Sequence, residues 1–417
     1  MEVEKLLKSK KLEVSNEPPY DPFQAFVRAN HIALKGLDRG RLQGLTFAAK
    51  DVFKILGSTY GNGHPEWLRT NPPDDFTSSA ITKLLEEGAD LVGKTVCDEL
   101  CYSISGENWN YGSPLNPLDL RRFAGGSSSG SAVAASAGLA DFAIGSDCLG
   151  SVRVPASYTG ILGMRPSYAR VPNDGEAPYC KSMDVLGYMS SCPETFRKVS
   201  EVLLGEDKVK IGYRKLIIVQ DFFDSVDKSL EEPLKLALDY LKERFDQAES
   251  KRLFEDRIDD WVKTFRIIQG YEVWESYGSW VRKYRPLLSR GPKERLEWAS
   301  SLTLQEYKNA LEKRKEIIRC IHDILSDDCI LCIPTTCSMP PLKNDSAERI
   351  NDIRLKSSQF LSISPLSNTP HLTLPLVWDE GVSLGISLIG IPGSDMSLID
   401  TMLPIFKDFH AKYLQKA

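Results

Sequence analysis

Histidine is scarce in this chain: five in 417 residues, at positions 31, 64, 322, 371 and 410. None falls in the glycine- and serine-rich motifs described below, so a serine nucleophile there has no imidazole base beside it in sequence. Sustained basic runs are absent too. Lys+Arg 52 against Asp+Glu 57 gives a net charge of −5, which excludes nucleic acid and an anionic membrane surface as natural partners. Long apolar runs are missing: the richest stretch, residues 382–391, is broken by Ser and Gly and is far too short to span a bilayer. The first twenty-odd residues mix Lys with Glu and lack the apolar core of a secretory signal, and their acidic residues argue against a transit peptide. The nine cysteines are odd in number and follow no framework, as free thiols in a reducing compartment do. A cytoplasmic enzyme acting on small molecules is the expectation.

What the chain has in abundance is small residues in one place. Residues 125–157 read GGSSSGSAVAASAGLADFAIGSDCLGSVRVPAS. Two small-residue turns, 125–131 and 145–151, flank an alanine-rich connector suited to a tightly packed helix and then a short strand. An isolated GGSSSGS is usually a flexible linker, but Ala132, Val133, Ala134 and Ala135 follow at once and need close neighbours. Three catalytic readings compete. A phosphate cradle requires a Lys-Ser/Thr pair closing the loop, and none follows Gly130. A nucleophile elbow, G-x-S-x-G over 126–130, would make Ser128 the nucleophile with His371 or His410 downstream, but it must follow a hydrophobic strand and here follows PLDLRRFA. The third reading is a serine site without histidine.

That third reading accounts for more residues. Lys50 in LTFAAKDVF (45–53), Ser127 in GGSSSGS and Ser151 in GSDCLGSVRVPAS resemble, in order and spacing, the motifs of the amidase signature family. Glu107-Asn108, YGSPLNP (111–117) and SYTGILGMRPS (157–167) resemble its flanking segments. Within the family, GNGHPEWLRT (61–70) and VRVPAS (152–157) are most similar to the plant-type indole-3-acetamide hydrolases of auxin biosynthesis. The resemblance is strong over 43–204, weaker from about 330 and slight between. It implies a single α/β domain over 43–417, a mixed β-sheet core covered by α-helices on both faces, with an N-terminal extension at 1–42 and a variable helical region at about 225–327. It also implies hydrolysis of a small carboxamide, such as an indole-3-acetamide-like aryl acetamide, through an acyl-serine, with no cofactor and no metal. A silent binding relative, or an esterase or acyltransferase using the same acyl-serine, is the rival.

The resemblance assigns Lys50, Ser127 and Ser151 as the catalytic triad: Ser151 the nucleophile, Ser127 a relay in a cis peptide, and Lys50 the base. Lys50 follows the apolar run 45–49, and burial favours a neutral amine. The successive N–H groups of Cys148, Leu149, Gly150 and Ser151 are the candidate oxyanion donors. Asp147 and Arg153 flank the turn as loop support. Leu149 departs from the Gly-Gly-Ser usual in the family, and a leucine held in the left-handed region would cost about 1–2 kcal/mol.

Elsewhere the sequence predicts a strand over 44–49 ending at Lys50, a helix over 77–85 capped by Thr77, a strand at 91–93, and a strand from 142 feeding the 147–151 turn. Strand–helix–strand order of this kind predicts parallel pairing, so that lysine and serine meet at one sheet edge. Periodicity predicts helices over 229–247, 258–284 and 304–325, the last opened by the capping box Thr303-x-x-Glu306. Trp261, Phe265, Tyr271, Trp274, Tyr277 and Trp280 read as core packing ahead of an acyl pocket or a homodimer face. Cys329-x-x-Cys332, in CILCIPTT, reads as a buried strand rather than half a metal site.

Overall fold

Twelve strands join into one mixed sheet in the computed structural model, which describes residues 5, 13–208, 210–254, 256–325 and 328–414. They are β1 (Val14–Ser15), β2 (Ala33–Leu34), β3 (Thr46–Lys50), β4 (Asp90–Thr95), β5 (Phe142–Asp147), β6 (Leu162–Arg165), β7 (Val185–Ser190), β8 (Lys215–Val219), β9 (Gln247–Lys251), β10 (Cys329–Pro334), β11 (His371–Asp379) and β12 (Val382–Ile389). Their order is β1-β2-β4-β3-β5-β7-β6-β11-β12-β10-β8-β9. β3 pairs in parallel with both β4 and β5, while β5–β7, β6–β7 and β11–β12 are antiparallel.

Alternation along β3 and β5 divides the core. Phe47 lies opposite Phe142 in the register, and their rings stack with centroids 5.4 Å apart. On this face they join Ile81, Leu84 and Leu85 of helix Ser79–Glu86 in one apolar cluster. Ala48 and Ala143, one residue further along each strand, point the other way into a second cluster with Ala132, Val133, Ala134 and Ala135 of helix Ser129–Ser136. Small residues on both sides let that helix lie close to the sheet. The α/β class, the mixed sheet and the helices on its two faces are thus as expected.

Several boundaries differ. The expected extension at 1–42 does not stand apart: β1 and β2 lead into β4, Ala25, Phe26 and Val27 are buried, and the Val27 N–H donates to the Lys94 carbonyl at 2.9 Å. Backbone pairing with β4 draws this stretch into the domain; of residues 1–12 only residue 5 is described. Ser78, not Thr77, precedes the helix at Ser79–Glu86. The helix expected over 229–247 is shorter, Glu231–Lys242, and Gln247–Lys251 becomes an exposed edge strand paired in parallel with β8; QAESK carries no alternation that would announce a strand. Helices Ile258–Tyr284 and Leu304–Ile324 match, the second with its Thr303/Glu306 capping box formed. Trp261, Phe265, Tyr277 and Trp280 are core residues, with Trp280 and Tyr277 against Trp67 at 5.0 and 5.4 Å. β10 is buried throughout. Among the described residues, no helix is long and apolar enough to cross a membrane.

Candidate active site

Because β3 and β5 are parallel neighbours, their C-terminal ends bring Lys50 and the 146–151 turn to one place, at the open end of interior strands where α/β proteins place their chemistry. The Lys50 side chain is fully buried, and its Nζ donates to Ser127 Oγ and to Ser146 Oγ, both at 2.8 Å. Ser127 stands at the head of helix Ser129–Ser136, and the Gly126–Ser127 peptide is cis. Glycine is required at 126, where a Cβ would run into the Asp98 carboxylate. The Ser128 N–H donates to the Ser151 carbonyl at 3.0 Å, which lays the two serine turns side by side. Ser128 itself is fully buried with its hydroxyl turned to the Ser146 carbonyl at 3.4 Å. Neither histidine proposed for an elbow reaches it: His371 packs on Arg153 and Ser364, and His410 is exposed beyond the last long helix. Ser151, 5% exposed, opens onto a cavity shared with Cys101, Tyr102, Leu149, Arg295 and Arg354.

Asp147 organises the turn. Its Oδ1 accepts from the Gly150 N–H at 2.8 Å and from Arg153 Nη2 at 2.8 Å; its Oδ2 accepts from the Val152 N–H at 3.0 Å and Arg153 Nε at 3.0 Å. Arg165 adds a hydrogen bond to the Asp147 carbonyl oxygen and an ion pair at 3.7 Å. All three side chains are fully buried. Burial by itself would raise the carboxyl pKa, but the two guanidinium groups and the N–H donors hold it well below the usual carboxylate range. The bond to Asp147 also commits the Gly150 N–H, which takes it out of the oxyanion donors expected at 148–151.

Leu149 does not carry the strain expected of it. The left-handed position in the turn is Gly150, at φ +105°, and Leu149 is not among the residues with positive φ. At 9% exposure it forms part of the cavity wall.

Lys50 also departs from expectation. Burial lowers its pKa, as the sequence suggests, but Cys101, Cys97 and Glu176 lie close enough to attract the ammonium, and their pull wins: the pKa is raised above the ordinary lysine value. Of these neighbours Cys101 pulls hardest. A hydrogen bond with Cys97 and the nearness of Lys50 outweigh burial and bring its thiol down to about 6, whereas Cys97, through its bond to Cys101, and Glu176, chiefly through burial, are pushed well up. Burial likewise raises Asp98, behind Gly126, to about 7. The resting site therefore holds the Lys50 ammonium under two serine hydroxyls, beside a Cys101 thiol of lowered pKa whose Sγ–H also meets Asn62 Oδ1 at 3.6 Å. Ser146 lies inside the 145–151 turn but receives no role from sequence, and Cys101 and Glu176 lie in none of the motifs; only folding places them around Lys50.

The amidase family model matches residues 24–264. "Amidase 1" of Arabidopsis thaliana is 34% identical over 394 residues, covering 87% of this chain and 93% of the relative. "Outer envelope protein 64, chloroplastic", from the same plant, is 34% identical over 88% of this chain but only 66% of its own length. A solved amidase superposes with a TM-score of 0.79 at 24% identity, over 89% of this chain and 85% of that one, which shows the shared fold. With the family model matched across more than half its length and a relative of that identity covering nearly all of it, this chain belongs to the amidase family and is an amide-hydrolysing enzyme.

Proposed function

We propose that the protein hydrolyses small primary carboxamides to the carboxylic acid and ammonia, with Ser151 as nucleophile, Ser127 as proton relay and Lys50 as base. The observation that carries the reading is the 2.8 Å contact from Lys50 Nζ to Ser127 Oγ, in a turn whose Ser128 N–H is bonded to Ser151. Lys50 enters the reaction as the free amine. Ser151 Oγ bonds to the carbonyl carbon as its proton passes to Ser127 and that of Ser127 passes to Lys50. The N–H groups of Cys148, Leu149 and Ser151 are the candidate donors to the oxyanion. As the C–N bond breaks, the proton returns through Ser127 to the departing nitrogen, which leaves as ammonia. Water then attacks the acyl-Ser151 ester through the same relay and restores the serine.

The cavity bears on the acyl group. Its volume is about 30 Å³, on the order of one water molecule and far below the roughly 300–1,000 Å³ of pockets that hold drug-sized ligands. At that volume an acyl chain, aliphatic or aryl, enters only as the lining side chains, Tyr102 and Arg295 among them, move outward.

Fluorophosphonate labelling followed by intact-protein mass spectrometry tests the assignment. One adduct is expected, absent in Ser151→Ala. Labelling that persists in Ser151→Ala but vanishes in Ser128→Ala would restore the elbow, and a wild-type enzyme that neither labels nor turns over any primary amide would sink the reading.

A further inference from the structure

Two arginines from separate helices reach the cavity of Ser151, and their lack of acidic partners sets them apart. Arg295, on helix Arg290–Ala299, and Arg354, on helix Ala347–Leu361, both line it. Other inward-facing arginines each have an acidic partner or a set of acceptors to hold their charge, although the Arg165 Nε, like that of Arg295, has no partner. Arg153 and Arg165 share Asp147, Arg170 pairs with Asp207 at 3.1 Å, and Arg314 donates to three carbonyls and the Asn368 side chain.

Arg295 and Arg354 have no such partners among the described residues. The Arg295 guanidinium lies 5.3 Å from the centre of the Tyr102 ring, and its buried Nε has no hydrogen-bond partner. Arg354 donates only to the neutral Asn351 side chain, one turn back on its own helix, at 2.8 and 3.3 Å. The nearest acids in sequence are taken: Glu294 pairs with Arg290 at 2.7 Å, and Asp352 with Lys356 at 3.0 Å. The two guanidinium groups also press on each other. Burial, then the charges of Arg295 and Arg266, bring the Arg354 pKa down to about 10. A half-buried cation without an acidic partner still carries a desolvation cost, and two of them at the mouth of a catalytic cavity are a site fitted to take an anion. Planar guanidinium forks match a carboxylate in two-point geometry.

We propose that Arg295 and Arg354 form a carboxylate subsite, and that the preferred substrate is a carboxamide whose acyl chain ends in a carboxylate, the monoamide of a dicarboxylic acid. This rests on the amide-hydrolase reading above and narrows it. The scissile amide meets Ser151 while the distal carboxylate, entering as the wall moves outward, is held by the two guanidinium groups. Catalysis and selection then come from different parts of the chain.

The test uses isosteric pairs, succinamate against succinamide and adipamate against adipamide, each pair differing in charge but scarcely in shape. For one pair at least, the wild-type enzyme is expected to favour the monoamide by about tenfold or more in kcat/KM. Arg295→Met and Arg354→Met should each pull that ratio towards one, chiefly through a higher KM for the monoamide, and Arg354→Lys should retain part of it. Fluorophosphonate labelling of Ser151 in each variant reports an intact site independently of the ratio. Equal or better turnover of the diamides by the wild type overturns the subsite and leaves the amide-hydrolase reading standing. So does a wild type that labels at Ser151 but cleaves neither member of either pair. A wild type that neither labels nor cleaves any amide overturns both.

Discussion

The turn around Ser151 and the helical wall across from it treat buried charge in opposite ways. At the turn, Asp147 is wrapped by Arg153, Arg165 and three backbone N–H groups, so every charge is spent on geometry. At the wall, Arg295 and Arg354 keep most of their donors unspent. A group that must stay fixed while a bond is made gains from a saturated shell; a group meant to meet a ligand is poised by the lack of one. The same contrast runs around Lys50, which is held by two serine hydroxyls while a neighbouring thiol that can be altered raises its pKa.

The sharpest way to break the contrast is at Lys50 itself. Lys50→Arg keeps a cation in place but cannot supply a free amine near neutral pH, so kcat/KM should fall by roughly 10²–10⁴-fold, the size of a lost general base. Urea unfolding should show that the fold survives, and near-normal turnover would remove Lys50 from the proton path.

Breaking the saturated shell comes next. Asp147→Asn leaves Arg153 and Arg165 buried without their counter-ion, and removing one partner of a buried pair costs about 3–5 kcal/mol. Urea midpoints at pH 7 measure it. A loss below about 1 kcal/mol, in the range of exposed pairs, would mean that the turn is held by packing instead.

The smallest effect sharpens the comparison. Because the Lys50 pKa is raised, its amine form grows only as pH climbs, and kcat/KM should still be rising between pH 8 and 9.5. Cys101→Ala removes the thiol that favours the ammonium, so the Lys50 pKa drops and the rising limb should move to lower pH, by about one unit for a neighbouring charge. A limb that stays in place in Cys101→Ala would show that Cys101 carries no charge beside Lys50.

Much of the site was legible because its demands are local. A strand ending at Lys50, the small residues at 125–131 and 145–151, and Asp147 with Arg153 six residues on are all spelled out in short stretches, and their chemistry needs those residue types close together. The left-handed position of the second turn was misplaced from sequence: Gly150 supplies it, and Leu149, where it was expected, does not. The helices at Ile258–Tyr284 and Leu304–Ile324 announced themselves through periodicity and a capping box. β9 did not, since an exposed edge strand has no buried face to impose alternation.

By itself, then, the order of residues determined the α/β class, the two serine turns and the lysine that ends β3, because short-range turn chemistry and apolar alternation act within a few residues. It did not determine the charge of Lys50, which depends on Cys97, Cys101 and Glu176 arriving from other segments. Nor did it determine that segment 13–42 belongs to the sheet, which follows from hydrogen bonds to β4. The wall of the cavity was decided last and at the longest range. Arg295 and Arg354 lie on separate helices and become a pair only when both pack over the turn at Ser151, and pairing of that kind leaves no local signature because charge and contact are properties of the folded neighbourhood rather than of the chain.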